Sequence, residues 1–187
     1  MRRDFADFQQ GPILIQAREF PDERGSLLQS WVKSVLDAAG IPSEFRQAIQ
    51  SVSRRGVVRG LHFQWSPPMG KLVRCVSGAV LDVAVDIRHG SPTRGDHAAV
   101  DLSDGNHEIF WIPPGFAHGF VALADQTIVL YECTAEHSPE EAGIRYDDPA
   151  LGIDWPRLDY VVSPKDKAAP TLAEWLADPR SRHFRLT

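Results

Sequence analysis

The chain has 187 residues, of which 43% are hydrophobic, enough to bury one substantial core but too few for two full domains. The formal net charge is -5, and the acidic and basic residues are interspersed, so there is no extended basic face for nucleic acid and no polybasic run for anionic lipid. We therefore predict a single domain over residues 1–187 that binds neither nucleic acid nor a membrane.

The first fifteen residues contain no segment suited to targeting. Their apolar run, Ile13 to Ile15, is far too short for the core of a signal peptide or for a membrane-spanning helix. Cys75 and Cys133 stand alone, without a CxxC pair, and are expected to be reduced core residues. These features predict a cytoplasmic protein.

A short helix is predicted from Trp31 to Ala39, where Gly40 ends it. From Val57 to Thr134 the chain then alternates short apolar, often β-branched runs with breaks at Gly, Pro, Asp and Ser. The runs of strand length are VVRGLHF, KLVRCV, AVLDVAVDI, HAAVDL, EIFWI, GFVAL and TIVLYECT. Since helices do not alternate with these strands, the pattern favours a sandwich, a jelly roll or a small barrel.

The AVLDVAVDI segment alternates in a way that predicts one apolar face and one polar face. The polar face would carry Asp82 and Asp86. Nearer the C-terminus, Thr171 and Glu174 have the spacing of a capping box and predict a helix that Pro179 ends. The basic tail from Asp178 onward is expected to be loosely held.

Reactive side chains lie on three of the predicted strands: Arg59 and His62, then Lys71, then Tyr131. They would face one cavity if the strands close into a small barrel. Because side chains alternate along a strand, the neighbours of His62 would point to the opposite face. His62 by itself could equally be an ordinary surface or core histidine, and Tyr131 by itself an aromatic packed in the core.

A metal centre is the main alternative to chemistry by side chains alone. Small β-barrels commonly hold a metal with a His-x-His pair, a carboxylate and a later His. Here Gln64 stands where the second His would be, and His118 is the only other plausible imidazole. The sequence also lacks GxGxxG, GxxxxGK[ST] and GxSxG motifs. We therefore predict neither a metal nor an organic cofactor.

Five segments in this order resemble the dTDP-4-dehydrorhamnose 3,5-epimerases and their monoepimerase relatives: GVVRGLHFQ, KLVRCVSGAVLDVAVDIRHGSPTRG, IFWIPPGFAHGFVAL, YECT, and YDDPALGIDWP followed by SPKD. The likeness runs from about Phe20 to Leu172. It implies an all-β, cupin-type jelly roll with short peripheral helices and a C-terminal helical extension over about 157–187. It also implies a homodimer that exchanges strands from about residues 1–50, acting on a nucleotide-linked 4-keto-6-deoxyhexose.

The resemblance assigns four catalytic residues: His62 is the base, Asp166 its carboxylate partner, Lys71 the cation near the ketone and Tyr131 the general acid. Arg59, Gln47 and Arg24 would hold the diphosphate, and Phe20 and Arg24 would reach the site of a neighbouring subunit. For His118 a hydrogen-bonded structural role is favoured over a catalytic one. The full set of substrate-binding residues is Arg59, Gln47, Arg24, Phe20, Glu23, Gln64, His118 and His137.

Some positions depart from the family pattern. Ile49 replaces an Asn, Leu27 and Gln29 replace Phe and Glu, and His137 replaces a Tyr near the sugar. These changes leave open a thymidine or a cytidine nucleotide, and inversion at C3, at C5 or at both. A metal-dependent enzyme of this fold and a non-catalytic sugar-nucleotide binder are the remaining alternatives.

Overall fold

The computed structural model describes residues 1–186, which form mainly β-strands with three short α-helices. The helices are α1 (Lys33–Ala38), α2 (Pro164–Lys167) and α3 (Leu172–Ala177). The strands are β1 (Ile13–Gln16), β2 (Arg18–Asp22), β3 (Gly25–Gln29), β4 (Gln47–Ser53), β5 (Val57–Gln64), β6 (Lys71–Ser77), β7 (Ala79–Asp86), β8 (His97–Ser103), β9 (Glu108–Ile112), β10 (Phe116–Ala122), β11 (Thr127–Cys133), β12 (Glu141–Gly143) and β13 (Val161–Val162).

Two sheets make up the body of the fold. One has the strand order β1, β9, β6, β11, β4, and the other has the order β12, β5, β10, β7, β8, with β13 added in parallel to β5. The seven runs predicted as strands correspond to β5 through β11. The predicted all-β jelly roll is therefore confirmed.

The main core lies between the two sheets. Phe110 of β9 and Val129 of β11 meet Val80 of β7 and Phe120 of β10 there, and all four are completely buried. Burying such side chains stabilises a fold by about 1.5–3 kcal/mol each. Phe120 of this core also lines the cavity described below.

The face of strand β7 that its alternation predicts to be polar is buried. Asp82 and Asp86 are both fully buried. Asp86 forms an ion pair of 2.7 Å with Arg88 and accepts hydrogen bonds from Ser91 and Thr93. A buried carboxylate needs such partners in place of water. An alternating pattern cannot distinguish a carboxylate in solvent from a buried one with polar partners.

The C-terminal tail is packed, so the prediction that it is loosely held is wrong. Phe184 is buried beside Phe63, with ring centroids 5.9 Å apart, and Phe63 lies 4.7 Å from Trp175 of α3. The predicted capping box of α3 is confirmed, since Thr171 and Glu174 cap each other's backbone. These aromatic side chains anchor the tail against the outer face of β5 despite its basic composition.

Strands β2 and β3 form a hairpin outside both sheets. Phe20 is 39% exposed and Leu27 is 65% exposed. Helix α1 begins two residues later than predicted and ends one residue earlier. Cys75 and Cys133 are buried free thiols, as predicted. None of the helices formed by residues 1–186 has the length and apolar character that a membrane crossing needs.

Candidate active site

A cavity of about 360 Å³ opens between the two sheets. Strands β4, β5, β6, β10, β11 and β12 contribute to its wall, as do the loops before β6 and after β11, and helix α2 with the residue before it. Its titratable lining residues are Arg59, His62, Lys71, His118, Tyr131, Cys133, His137, Glu141, Lys165 and Asp166. The four residues predicted to be catalytic therefore share one cavity.

His62 lines this cavity from β5, while its neighbours Leu61 and Phe63 pack together in a buried aromatic cluster. Phe63 also borders the cavity. The orientation of His62 is the one that the strand alternation predicts. Nε2 of His62 lies 2.6 Å from Oδ1 of Asp166. Because an ionised carboxylate can only accept, Nε2 is the donor and Nδ1 is left free to act as a base.

Asp166 is fixed within α2, whose N-cap residue Ser163 accepts a hydrogen bond from the Asp166 backbone N–H at 3.1 Å. Burial raises the pKa of Asp166, but the hydrogen bond and charge of His62, together with Ser163, outweigh it and hold this pKa below its ordinary value. The carboxylate therefore stays ionised and fixes the orientation of the imidazole.

Lys71 begins β6 and reaches toward β5, where its ammonium donates to the carbonyl of His62 at 3.5 Å. Burial lowers the pKa of Lys71, and the negative charges of Asp82 and Glu141 are among the effects that oppose this shift. The single hydrogen bond that Lys71 makes within the described residues is long, so other donor positions can bind an oxygen of a ligand.

Tyr131 lies on β11, in register with Ile49 on the neighbouring β4, and both line the cavity. Burial raises the pKa of Tyr131 well above its ordinary value. The phenol is therefore protonated near neutral pH and able to donate a proton. Ile49, which replaces a polar residue of the family pattern, gives the wall beside this phenol an apolar patch.

His118 on β10 is a Cα partner of His62 across the sheet. Its Nε2 lies 2.9 and 3.0 Å from the two carboxylate oxygens of Asp82, and both residues are buried. Burial lowers the pKa of His118. The sequence favoured a hydrogen-bonded role for His118 but did not identify Asp82 as its partner. The available signal was that Asp82 is an acidic residue within an otherwise apolar strand.

Gln64 and Gln47 organise the loop after β11. The amide nitrogen of Gln64 donates to the carbonyls of Pro67 and Glu136, and its oxygen accepts from Ser138. Oε1 of Gln47 accepts from the backbone N–H of His137 at 2.7 Å. Both N–H groups of the Gln64 amide are thus engaged with the protein, and Gln47 holds His137 at the cavity wall without lining the cavity itself.

Arg59 lines the cavity, where Ser53 accepts a hydrogen bond from its Nε at 3.1 Å. Phe20, Glu23 and Arg24 are not brought there within the same chain. They lie on the exposed hairpin of β2 and β3 or its turn, where Arg24 pairs with Asp22.

Among residues 1–186, no group of three or more His, Cys, Asp or Glu side chains is placed to hold a metal ion. His62 and His118 are each paired with their own aspartate instead, at 2.6 and 2.9 Å. Each imidazole is thus oriented by its own carboxylate, an arrangement suited to acid–base chemistry by side chains.

Comparison with known proteins places the chain in a family. The sequence model described as dTDP-4-dehydrorhamnose 3,5-epimerase matches residues 9–174. This chain belongs to the dTDP-4-dehydrorhamnose 3,5-epimerase family. A member from Methanothermobacter thermautotrophicus is 46% identical over 168 residues, covering 88% of this chain and 91% of its own. The resemblance predicted from five segments is confirmed.

Solved structures of the epimerase family have the same fold. The dTDP-6-deoxy-D-glucose-3,5-epimerase of Legionella pneumophila, in complex with dTDP-4-keto-L-rhamnose, superposes with a TM-score of 0.87 at 42% identity, covering 94% of this chain and 93% of its own. A 3'-monoepimerase from Streptomyces bikiniensis, in complex with dTDP-quinovose, gives a TM-score of 0.83 at 32% identity, covering 88% and 85%. The cupin-type jelly roll is thus shared by double epimerases and monoepimerases.

Two further residues of this epimerase-family cavity escaped sequence analysis. Glu141 of β12 and Lys165 of α2 form an ion pair of 2.6 Å at the cavity wall. Nε2 of His137 lies 3.6 Å from the other oxygen of Glu141. Lys165 stands within the SPKD segment and could have been noticed there, whereas no pattern singled out Glu141.

Proposed function

We propose that this protein is an epimerase that inverts C3, C5 or both carbons of a nucleotide-linked 4-keto-6-deoxyhexose. The observation that carries the proposal is the His62–Asp166 pair, which shares one cavity with Lys71 and Tyr131. A base, a cation and a protonated phenol around one cavity are the groups that enolate chemistry requires.

The reaction begins at a carbon beside the sugar ketone. Hydrogens there are weakly acidic, and Nδ1 of His62 removes one as the C–H electron pair moves into the enolate. The ionised Asp166 stabilises the imidazolium that forms, since it accepts a hydrogen bond from Nε2. A carboxylate in this position favours the proton transfer without taking the proton itself.

Lys71 stabilises the enolate oxygen. Its ammonium is largely removed from water, where a positive charge acts on a developing oxyanion more strongly than it would in solvent. The loss of one such donor typically costs about 100-fold to 1,000-fold in kcat. Lys71 therefore lowers the barrier to proton abstraction by His62.

Inversion is completed when Tyr131 donates its phenolic proton to the opposite face of the same carbon. The raised pKa of Tyr131 keeps that proton in place before the enolate forms. A base and an acid on different strands, β5 and β11, are suited to act on opposite faces of one ring. Before the next turnover the phenolate takes a proton from solvent, and the imidazolium of His62 releases its proton to solvent.

Arg59 holds the nucleotide diphosphate, because a guanidinium remains charged and makes paired hydrogen bonds to phosphate oxygens. Thymidine is the favoured base, since solved relatives carry dTDP-sugars. An enzyme of this kind is expected in the cytoplasm, where nucleotide sugars are made.

The active unit is a homodimer in which the hairpin of β2 and β3 enters the neighbouring subunit's cavity. Support comes from the exposure of Phe20 and Leu27 on a hairpin outside both sheets. Arg24 and Glu23 in its turn would then act in trans. Mixed dimers of Arg24→Ala and His62→Ala chains should recover activity that neither variant has alone, and no recovery would rule out the exchange.

Solvent exchange tests the proposed function. The protein is incubated in D2O with dTDP-4-keto-6-deoxyglucose, and with the CDP-linked sugar in parallel, and the label at C3 and C5 is read by NMR. Label at both carbons identifies a double epimerase, whereas label at one identifies a monoepimerase like the S. bikiniensis relative. No label with either sugar would leave a non-catalytic binder and refute the proposal.

A further inference from the structure

A second cleft, of about 330 Å³, lies between the C-terminal tail and the loop that follows β7. It is lined by His89, Gly90, Arg182, Arg185 and Leu186. None of these residues lines the catalytic cavity. The cleft is therefore separate from the catalytic cavity. The tail that forms one side of it has no role in the proposed reaction.

The backbone around this cleft is fixed on both sides. The N–H of His89 donates to the carbonyl of Phe184 at 2.9 Å, and the N–H of Leu186 donates to the carbonyl of His89 at 3.1 Å. Ser181, which is fully buried, has its hydroxyl 2.8 Å from Nε2 of His89. Arg182 and Arg185 thus project from a backbone that is held on either side of the buried Phe184.

The charge at the cleft is positive. Burial and then the positive charges of Arg94, Arg182 and Arg185 lower the pKa of His89. Within residues 1–186 no carboxylate forms an ion pair with any of these three arginines, whereas the nearby Arg180 is paired with Asp178 at 2.6 Å. The cleft therefore concentrates positive potential that the described part of the chain does not neutralise.

We propose that this cleft is a second anion site that binds a small phosphate-bearing molecule through Arg182 and Arg185. Guanidinium groups match phosphate oxygens with paired hydrogen bonds and remain charged at any physiological pH. The space is large enough for a phosphate or diphosphate group. The ligand would be free phosphate or the phosphate end of a nucleotide, and binding would tie the tail more firmly to the loop after β7.

Calorimetric titration with inorganic pyrophosphate tests this site in the full-length protein. The wild type should bind two pyrophosphates per chain. In the Arg182→Gln/Arg185→Gln variant the affinity of the cleft site for pyrophosphate should fall at least tenfold, so that only one binding event is seen. Arg54→Gln/Arg157→Gln, which removes the same charge from exposed arginines outside the cleft, should retain both. A double variant that still binds two molecules would overturn the proposal.

Arg59→Gln separates this inference from the proposed function. It should weaken pyrophosphate binding in the catalytic cavity and leave the cleft site intact. If the wild type binds one pyrophosphate and Arg59→Gln abolishes it, the cleft site does not exist. Separate titrations with inorganic phosphate and with a nucleoside diphosphate then compare the two affinities. The compound that binds more tightly identifies the source of the ligand.

Histidine NMR gives a second readout that a purely structural role would not change. Pyrophosphate should raise the pKa of His89, because the anion neutralises the arginines that lower it. The shift should vanish in Arg182→Gln/Arg185→Gln while epimerisation stays at the wild-type rate. An unchanged His89 titration at saturating pyrophosphate would contradict binding in the cleft.

Discussion

Asp166 lies 104 residues after His62 in the chain, yet its Oδ1 is 2.6 Å from the Nε2 of that imidazole. Helix α2 is a single turn, and its N-cap residue Ser163 accepts a hydrogen bond from the backbone N–H of Asp166. The pair thus forms when the C-terminal part of the chain packs against β5 and places the carboxylate of Asp166 beside His62.

Asp166→Asn should lower kcat by about 100-fold or more, because the amide cannot stabilise the imidazolium and can favour the wrong tautomer of His62. Binding of dTDP, measured by calorimetry, should change little. The exposed Asp147→Asn change, which breaks only a surface pair with Arg145, is the matched control. An Asp166→Asn enzyme with wild-type kcat would remove the carboxylate from the mechanism.

Tyr131→Phe should separate exchange from inversion. His62 can still remove a proton and return deuterium to the same face, while the opposite face lacks its donor. In D2O the substrate should gain label, whereas inverted product forms about 100-fold more slowly or less. NMR measures both on one sample. Normal inversion in this variant would mean that another group supplies the proton.

Lys71→Met should affect activity and stability in opposite directions. We expect kcat to fall by about 100-fold to 1,000-fold, since the enolate oxygen loses its cation. The burial that lowers the pKa of Lys71 shows that the folded state disfavours its charge, so the apolar variant should have an equal or higher Tm. Calorimetry checks the second expectation, and a clear fall in Tm would indicate that the ammonium stabilises the fold.

His97 should make the fold sensitive to acid. Burial, and then the charge of the N-terminal amine, lower its pKa from 6.5 to about 4. Between these values the unfolded chain binds the proton and the folded chain does not, so stability falls as the pH falls from 6.5 to 4. The loss from this residue approaches about 3 kcal/mol.

Urea unfolding of His97→Met at pH 7 and pH 4.5 measures that contribution. The variant should show a smaller loss of stability on acidification than the wild type. His183→Gln, which removes an exposed imidazole, should keep the wild-type dependence. Equal acid sensitivity in His97→Met and the wild type would assign the effect to other groups.

Phe184→Ala should destabilise the protein by about 3 kcal/mol or more, because it leaves a cavity among buried aromatic side chains. Val161→Ala, at a side chain that is 48% exposed, should cost less than about 1 kcal/mol. Denaturant unfolding compares the two. Similar small losses in both would mean that the tail contributes little to the fold.

The sequence predicted the strands that carry the site better than the contacts between them. Alternation in VVRGLHF was enough to place Leu61 and Phe63 opposite His62, because a strand has only two faces. The partner of His62 came from family resemblance, since no periodic pattern links residues 104 positions apart. Alternation placed Asp82 on the polar face of its strand but did not identify His118 as its buried partner, because a pattern records polarity and not contacts.

The prediction that the C-terminal tail is loosely held was wrong for a related reason. Its arginines suggest a solvated segment, yet Phe184 and Ser181 are buried, and these two positions determine its path. Composition averages over a segment, whereas packing depends on single anchors. The hairpin of β2 and β3 posed the opposite difficulty, since Phe20 and Leu27 are apolar yet exposed, and a strand pattern does not indicate what covers them.

Strand β5 has neighbours along both edges: β10 on one side, and β13 and β12 in succession on the other. Sliding this strand by one position would turn His62 into the aromatic cluster and bring Phe63 to face the substrate. With three hydrogen-bonded neighbours, such a shift would require several ladders to break at once. The pairing of β5 with its neighbours therefore fixes the position of His62. Mutations that weaken the pairing of β12 or β13 with β5 should lower the catalytic rate even though they change no reactive side chain.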